Sequence, residues 1–147
     1  MKTRSRTYRP DDLERLIEII KDHLHDDVVA FIGPWEQSEE MLRRDIPGNA
    51  KDIRILESQD SIVAFVWTSI QPDRLFLEEI HVVGSSKGQG LGSRLLEEVE
   101  IEARSRGLEK IHLTVFEDRP AVRFWQRVGF AICGEINRNQ WPMYKRI

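Results

Sequence analysis

Lys87-Gly88-Gln89-Gly90-Leu91-Gly92 is the stretch of sequence that decides the fold of this chain. It lies between an extended apolar run, Leu75 to Val83, and a strongly helical run, Arg94 to Arg106. A strand that turns on glycines directly into a helix leaves backbone N–H groups unpaired at the positive end of the helix dipole. The stretch therefore predicts an anion site, and a phosphate-bearing cofactor is the expected guest.

The composition is that of an ordinary globular protein, and 147 residues predict a single domain over residues 1–147. A net charge of −3 disfavours nucleic acid as an obligatory partner. No apolar stretch approaches the roughly 18 residues that a membrane span needs. The single cysteine, Cys133, excludes an internal disulfide framework and favours the cytoplasm. We expect Cys133 to be a buried strand residue rather than a nucleophile.

The elements predicted from periodicity and turn residues follow the order β-α-α-β-β-β-α-β-α-β-β. The first helix is expected from Leu13 to about Leu24, an irregular segment from His25 to Gln37, and a short helix from Ser38 to Pro47. The links between the middle strands are too short for crossovers, so those strands are expected to be antiparallel. The strand–helix–strand from Leu75 to Phe116 is expected to be parallel, and two final strands are expected at Phe130–Ile136 and Trp141–Ile147. The fold class is therefore α/β (α+β), a mixed and mostly antiparallel sheet of six to seven strands flanked by about four helices.

Two common phosphate-binding turns do not match residues 87–92. A dinucleotide-binding turn reads GxGxxG, but Ser93 stands where its last glycine would be. A P-loop reads GxxxxGK[ST], and that pattern is absent from the sequence.

The turn resembles the acetyl-CoA motif of the GNAT superfamily of N-acetyltransferases, which is usually written Q/R-x-x-G-x-G/A. Lys87 is the one departure, because Arg or Gln is usual there. Residues 77–82, LEEIHV, look like the family's fourth strand, and residues 93–96, SRLL, look like the helix that follows. About thirty residues on, AVRFWQRVGF at 121–130 resembles the block usually written with N-x-x-A, a Tyr and GF. The likeness covers most of the chain and implies the GNAT-like acyl-CoA N-acyltransferase fold.

The resemblance implies that acetyl-CoA is the co-substrate and that no metal is required. The amides of residues 88–92 would surround the pyrophosphate, and the β-strand backbone before them would pair with the pantetheine amides. The alternative is that the glycines only make a tight turn from strand to helix. The expected cofactor-binding residues are Ile80, His81, Val82, Lys87, Gly88, Gln89, Gly90, Leu91, Gly92, Ser93, Asp118 and Trp125.

Acetyl transfer to an amine needs a base, because the amine is mostly protonated at neutral pH. Glu78 is the leading candidate, since polyamine acetyltransferases of this superfamily place a catalytic glutamate at the matching position. Glu79 points to the opposite face of the strand and is expected to be a structural or hydrogen-bonding carboxylate. The alternatives are that His81 is the base, or that Glu78 is an ordinary solvated residue. The backbone N–H of about Val82 would donate to the oxyanion.

The leaving group is where this sequence departs most from the family. Many relatives carry a tyrosine that can protonate the coenzyme thiolate, and Trp125 occupies that position here. An indole N–H donates a hydrogen bond but is not a useful acid. Water, Tyr144 or Tyr8 could supply the proton, or the protein binds the coenzyme with weak catalysis; Trp125 could also be core packing. Asp118 replaces the usual asparagine and keeps an acceptor while losing the amide donor.

The leading functional hypothesis is direct transfer of the acetyl group of acetyl-CoA to a primary amine of a small molecule or peptide. The alternatives are a non-catalytic or weakly catalytic acyl-CoA-binding regulatory module, and a protein N-terminal or lysine acetyltransferase. We expect no nucleic-acid or membrane partner, and homodimerisation is left open. A metal cluster at His23, His25, Asp26 and Asp27 is a weak hypothesis, because a solvated helix end explains those residues as well.

Overall fold

The computed structural model describes residues 2–147, and its elements follow the predicted order. The strands of this part are β1 (Arg4–Thr7), β2 (Ile53–Ser58), β3 (Ser61–Ile70), β4 (Leu75–Val82), β5 (Lys110–Phe116), β6 (Ala131–Ile132) and β7 (Gln140–Arg146). Its α-helices are α1 (Leu13–Phe31), α2 (Trp35–Gly48), α3 (Leu91–Ser105) and α4 (Arg119–Arg127). Met1, which the predicted domain includes, lies outside the described residues.

The strands of residues 2–147 form one mixed sheet in the order β1-β2-β3-β4-β5-β7-β6. The pairs β1–β2, β2–β3, β5–β7 and β6–β7 are antiparallel. The strands β4 and β5 are parallel, with Leu75 opposite Ile111 and Phe76 opposite His112. The predicted class, a mostly antiparallel sheet with about four helices, is therefore confirmed.

Two compact units can be distinguished within the chain. The first unit comprises residues up to Trp67 together with Glu79–Leu95, and the second comprises Thr68–Glu78 and Leu96–Ile147. Strands β3 and β4 and helix α3 each contribute residues to both units. The prediction of a single domain over residues 1–147 stays a prediction.

Strand β3 lies in the first unit as far as Trp67. From Val63 to Thr68 every residue of this strand is buried, which is typical of a strand that is covered on both faces. A two-residue turn joins β2 to β3, with Gln59 at φ 51° and Asp60 at φ 61°. Two successive residues with positive φ match the twist of an antiparallel hairpin, so β2 and β3 are antiparallel as the short link between them predicts.

Helix α1 is longer than the sequence predicts, since it continues past Leu24 to Phe31. The polar residues 25–27 do not end it, because Val28 returns to the buried stripe that begins at Leu16 and Ile17. The irregular segment predicted from His25 to Gln37 is therefore wrong. Pro34 has no N–H with which to extend the helix, and α2 begins immediately after it, at Trp35 rather than at Ser38.

The strand predicted at Phe130–Ile136 is also wrong in length, because β6 contains only Ala131 and Ile132. Its partner strand explains the early end. The Cys133 N–H donates to the Pro142 carbonyl at 2.9 Å, but Pro142 has no N–H to return, so the antiparallel ladder stops there. Consequently Cys133 is an exposed thiol and not the buried strand residue that we expected.

The sequence predicts no membrane-spanning segment, and the lengths and apolarity of the helices bear on that prediction. Among residues 2–147, none of the helices combines the length and the apolarity that crossing a bilayer requires.

A buried ion network ties β1 to its neighbours in the first unit. The Arg6 guanidinium donates to both carboxylate oxygens of Asp12 at 2.8 and 2.9 Å, and its Nε donates to Glu57 at 2.8 Å. Arg4 donates to the same Glu57 carboxylate. Hydrogen bonds from Arg6 and Arg4 lower the pKa of Glu57 to about 2. Asp12 and Glu57 are therefore held as carboxylates, which is the condition for burying them with a cation.

We predict that Glu57→Gln flattens the acid side of the stability profile. The folded-state pKa of Glu57 is about 2, below its ordinary value of about 4.3, so its contribution is present above that ordinary value and is lost as the pH falls towards 2. Chemical unfolding between about pH 7 and about pH 2.5 should show a steeper loss of stability in the wild type than in the variant. Glu40→Gln, at an exposed position of α2, should behave as the wild type. An unchanged slope for Glu57→Gln would contradict the role of this network.

Candidate functional site

The glycine turn of the first unit joins β4 to α3 through a short 3-10 segment, Gly84–Ser86. Gly88 and Gly90 have φ values of +79° and +76°, in the left-handed region that L-residues avoid. A Cβ built on either glycine would meet nothing within 4 Å. The backbone here is thus bare and surrounded by open space, which is what close approach of a ligand to the main chain requires.

The amides at the start of α3 are the donors that this turn presents. The Arg94 N–H donates to the Gly90 carbonyl at 3.0 Å and makes the first hydrogen bond of the helix. The N–H groups of Leu91, Gly92 and Ser93 precede that bond, so the helix itself supplies no acceptor for them. Leu91 is buried and anchors the turn, whereas Lys87 and Gln89 are exposed beside it. Partial positive charge and a nearby ammonium make this turn suitable for an anion.

The residues of β4 alternate between two faces. Leu75, Leu77, Glu79 and His81 share one face, on which Leu75, Leu77 and His81 are buried. Glu78 lies on the other face and is exposed, and Ile80 and Val82 follow it there. The expectation that Glu78 and Glu79 point in opposite directions is therefore confirmed. The role of Glu78 as a base stays a prediction.

A chain of three side chains extends from Glu79. The Glu79 carboxylate accepts a hydrogen bond from His81 Nε2 at 2.6 Å. His81 Nδ1 lies 2.7 Å from Nδ1 of His23, which is on α1. His81 is only 7% exposed, and the ring of Phe65 lies against it with a centroid distance of 5.3 Å. The hydrogen-bonding role expected of Glu79 is confirmed, and His81 is seen to use both ring nitrogens.

His23 joins these side chains through a contact with His81 that the sequence did not predict. Glu79 and His81 are two residues apart on one face of a strand, so the alternation of side chains can predict their contact. His23 is 58 positions from His81, and no local pattern relates the two. Only the packing of α1 against the buried face of β4 brings the imidazoles together.

The charge state of His23 depends on its surroundings. Burial lowers the pKa of His23 below the ordinary histidine value, and electrostatic interaction with His81 and Lys87 lowers it further. The carboxylates of Asp22 and Glu79 act in the opposite direction. His23 is therefore biased towards the neutral form, which can accept a proton.

Three further predicted site residues, Trp125, Asp118 and Tyr144, belong to the second unit. Trp125 is 8% exposed and packs edge-on against Phe124 and Phe130, at centroid distances of 5.1 and 5.2 Å. Asp118 is exposed at the N-cap position of α4, but its side chain makes no capping hydrogen bond. Tyr144, on β7, is half-buried beside the His112 ring at 5.6 Å. The core-packing interpretation of Trp125 is thus supported, and the roles of Asp118 and Tyr144 stay predictions.

Tyr8, the other tyrosine considered as an acid, belongs to the first unit. It is 8% exposed, and its hydroxyl has no hydrogen-bond partner among the described residues. Burial raises the pKa of this phenol. Tyr8 is therefore a packed residue of the core in this structure.

The metal hypothesis for the end of α1 finds no support in the described part of the chain. Residues 2–147 contain no group of three or more His, Cys, Asp or Glu side chains placed to hold a metal ion. His25 Nδ1 instead contacts the Asp26 carboxylate at 2.9 Å, and His23 contacts His81.

Comparisons with known proteins agree with the glycine turn and the fold. The family model described as "Acetyltransferase (GNAT) family" matches residues 15–130. A streptothricin acetyltransferase of Streptomyces lavendulae is 37% identical over 62 residues, which are 42% of this chain and 33% of that protein. The chain thus spans about a third of that relative's length. A thialysine N-epsilon-acetyltransferase of Mus musculus is 25% identical over 143 residues, covering 86% of this chain and 83% of that protein.

A solved structure resembles the whole chain. It is that of the PaiA N-acetyltransferase from Thermoplasma acidophilum in complex with coenzyme A, with a TM-score of 0.78, 19% sequence identity and complete coverage of both chains. At this level of identity the likeness shows the fold, and the predicted GNAT-like fold is confirmed.

We predict that Lys87→Met raises the pKa of His23. The Lys87 ammonium disfavours the protonated imidazole, so removing it should favour protonation. Titration of the histidine ring signals by NMR measures this pKa directly. Lys51→Met removes an equal charge from an exposed position elsewhere in the first unit and should leave the His23 titration unchanged. Identical titrations in the two variants would show that Lys87 does not act on His23.

Proposed function

Because the chain belongs to the acetyltransferase (GNAT) family, we propose that it is an N-acetyltransferase that moves the acetyl group of acetyl-CoA directly to a primary amine. The acceptor class we propose is a small molecule or a peptide. The observation that carries this proposal is the glycine turn, whose bare amides lie at the start of α3 within the matched residues 15–130. An acyl-CoA diphosphate is an anion of the kind that such a turn binds.

The residues present fit the coenzyme. An L-side chain at Gly88 or Gly90 would be strained, and the space a Cβ would occupy is open. The Lys87 ammonium adds a point charge for a phosphate, although it lacks the bidentate fork of arginine. We propose that the amides of residues 88–92 hold the diphosphate, with Lys87, Gln89 and Ser93 at its edge. The pairing of Ile80–Val82 with the pantetheine stays a prediction.

The acceptor must lose a proton before it can attack the thioester. An alkylamine is protonated at neutral pH, so a nearby group must accept that proton directly or through water. The amine then attacks the thioester carbonyl carbon, the carbon–sulfur bond breaks, and the thiolate of coenzyme A leaves. Glu78 as the base and Tyr144 as the acid stay predictions from sequence. A thiolate is itself a fair leaving group, so the reaction does not depend on a strong acid.

A second candidate function follows from the position of Trp125. The residue that stands where many relatives have a tyrosine is packed between Phe124 and Phe130, and its indole cannot act as an acid. This favours a weakly catalytic acyl-CoA-binding module as the alternative. Acetylation of protein N-termini or lysines is the remaining alternative, and it uses the same coenzyme. A cytoplasmic location, homodimerisation and the absence of a metal, nucleic acid or membrane partner stay predictions.

The proposed function is tested by acetyl-CoA turnover against a panel of amines. Polyamines, amino acids, aminoglycosides and short peptides with free N-termini or lysines should be offered separately, with release of coenzyme A and the mass of the product as readouts. We expect one class to gain the mass of an acetyl group at a rate well above hydrolysis. Tight binding of acetyl-CoA without a product from any class would favour the binding module instead.

We predict that Gly90→Ala weakens the binding of coenzyme A by at least about tenfold, or about 1.4 kcal/mol. The methyl group forces the turn out of its left-handed conformation and occupies the space beside the amides. Titration calorimetry with coenzyme A measures the affinity. Gly107→Ala is a matched control, because Gly107 has φ +72° and an equally open Cβ position at the far end of α3. Equal affinities for the two variants would place the diphosphate elsewhere.

A further inference from the structure

We call the side chains of Glu79, His81 and His23 the relay. Their hydrogen bonds allow few arrangements of protons. Two Nδ1 atoms 2.7 Å apart share one proton, since two protons would collide and two lone pairs would repel. His81 Nε2 must donate to the Glu79 carboxylate. In the neutral state His81 Nδ1 is therefore the acceptor, and His23 carries its proton on Nδ1. This leaves His23 Nε2 as the basic nitrogen of the relay.

A proton added to the relay at His23 places the positive charge on His81. A proton that arrives at His23 Nε2 displaces the Nδ1 proton across the 2.7 Å contact to His81 Nδ1. His81 then becomes the imidazolium, and its Nε2–H still donates to Glu79 at 2.6 Å. The positive charge thus comes to lie beside a carboxylate at a side chain that is only 7% exposed. Burial strengthens that ion pair relative to one in water.

The entry point of the relay lies in the same unit as the glycine turn. His23 is half-buried, whereas His81 lies on the buried face of β4 with the ring of Phe65 against it. The groups that interact electrostatically with His23 are His81 and Glu79 on β4, Lys87 in the turn and Asp22 on α1. Because Lys87 is among them, the open end of the relay lies within electrostatic range of the residue that borders the proposed coenzyme site.

We propose that the relay is the base of the transfer reaction, with His23 Nε2 as the atom that accepts the proton of the acceptor ammonium. This inference rests on the proposed function and specifies the group that it requires. His81 and Glu79 are positioning residues, which orient His23 and take over the charge. The sequence predicted Glu78 for this role, but Glu78 lies on the opposite face of β4 from Glu79 and His81.

The step balances in protons and electrons. The ammonium gives one proton to His23 Nε2, and the Nδ1 proton of His23 passes to His81. The amine lone pair forms the bond to the thioester carbonyl carbon, and the carbon–sulfur bond breaks with its electrons on sulfur. The second proton of the amine ends on the thiolate of coenzyme A, and the relay returns its own proton to solvent. The relay is then ready for another amine.

The kinetic test compares His23→Asn with Glu78→Gln and His25→Asn in the full chain. Asn retains a donor in place of Nδ1 but has no second basic nitrogen. We expect His23→Asn to lower kcat/KM for the amine by about 10² to 10⁴ and to remove the acidic limb of its pH profile, without changing the KM for acetyl-CoA. His25→Asn, two residues along α1 and in contact with Asp26, should match the wild type. Loss of the acidic limb in Glu78→Gln but not in His23→Asn would overturn the relay as the base.

Glu79→Gln tests the positioning role, because the amide oxygen can still accept from His81 while the charge is gone. The relay should then be a weaker base, and the acidic limb should move to lower pH by about one unit or more. An unmoved limb would contradict the role of Glu79. A change in melting temperature without a change in the limb would indicate a purely structural role.

A spectroscopic readout separates failure of the relay from failure of the proposed function. Nitrogen NMR of the histidine rings at falling pH should show both ring nitrogens of His81 protonated in the wild type, and the charge moved to His23 in Glu79→Gln. If no amine is acetylated, the proposed function fails, and with it the relay as a catalytic base. If His23 holds the charge in the wild type while His81 stays neutral, the relay is overturned even when amines are acetylated.

Discussion

The left-handed backbone at Gly88 and Gly90 is the constraint on which the candidate site depends. With φ near +79° and +76°, these residues reverse the chain at the end of β4 so that α3 begins with its amides unobstructed. Any other residue type would pay the steric cost of this conformation and would also fill the space beside the amides. Leu91, buried one residue later, holds the start of the helix in place. The turn thus presents main-chain donors, and Gly88 and Gly90 leave the space beside them open.

Strand β4 carries acidic and basic side chains, and their alternation places them on two different faces. One face carries Glu78, and the other carries Glu79 and His81, so two carboxylates that are neighbours in sequence have different surroundings. The first faces solvent, whereas the second is bonded to a buried imidazole at 2.6 Å. Because a buried acid–base pair interacts more strongly than a solvated one, the face with less exposure has the greater capacity to hold and move a proton.

The departures from the family pattern concentrate on the leaving-group side of the reaction. Trp125 replaces a tyrosine and packs into the core of the second unit, and Asp118 replaces an asparagine. The indole of Trp125 is not an acid, so a thiolate that leaves without strong assistance is consistent with the loss of the tyrosine. In the proposed mechanism, the relay in the first unit instead assists the reaction by removing a proton from the acceptor amine.

The sequence by itself determined the order of elements, the mixed sheet and the glycine turn, because each depends on local features: alternation, turn residues and the need for glycine at positive φ. It was wrong where tertiary contacts override local signals. Helix α1 runs through the polar residues 25–27 because Val28 is buried further along, and β6 stops at Ile132 because its partner there is Pro142. The link between His23 and His81 could be decided only by tertiary structure, since it joins residues 58 positions apart. Such a contact exists because a helix face and a strand face must cover each other to exclude water, and no spacing along the chain records which side chains will meet.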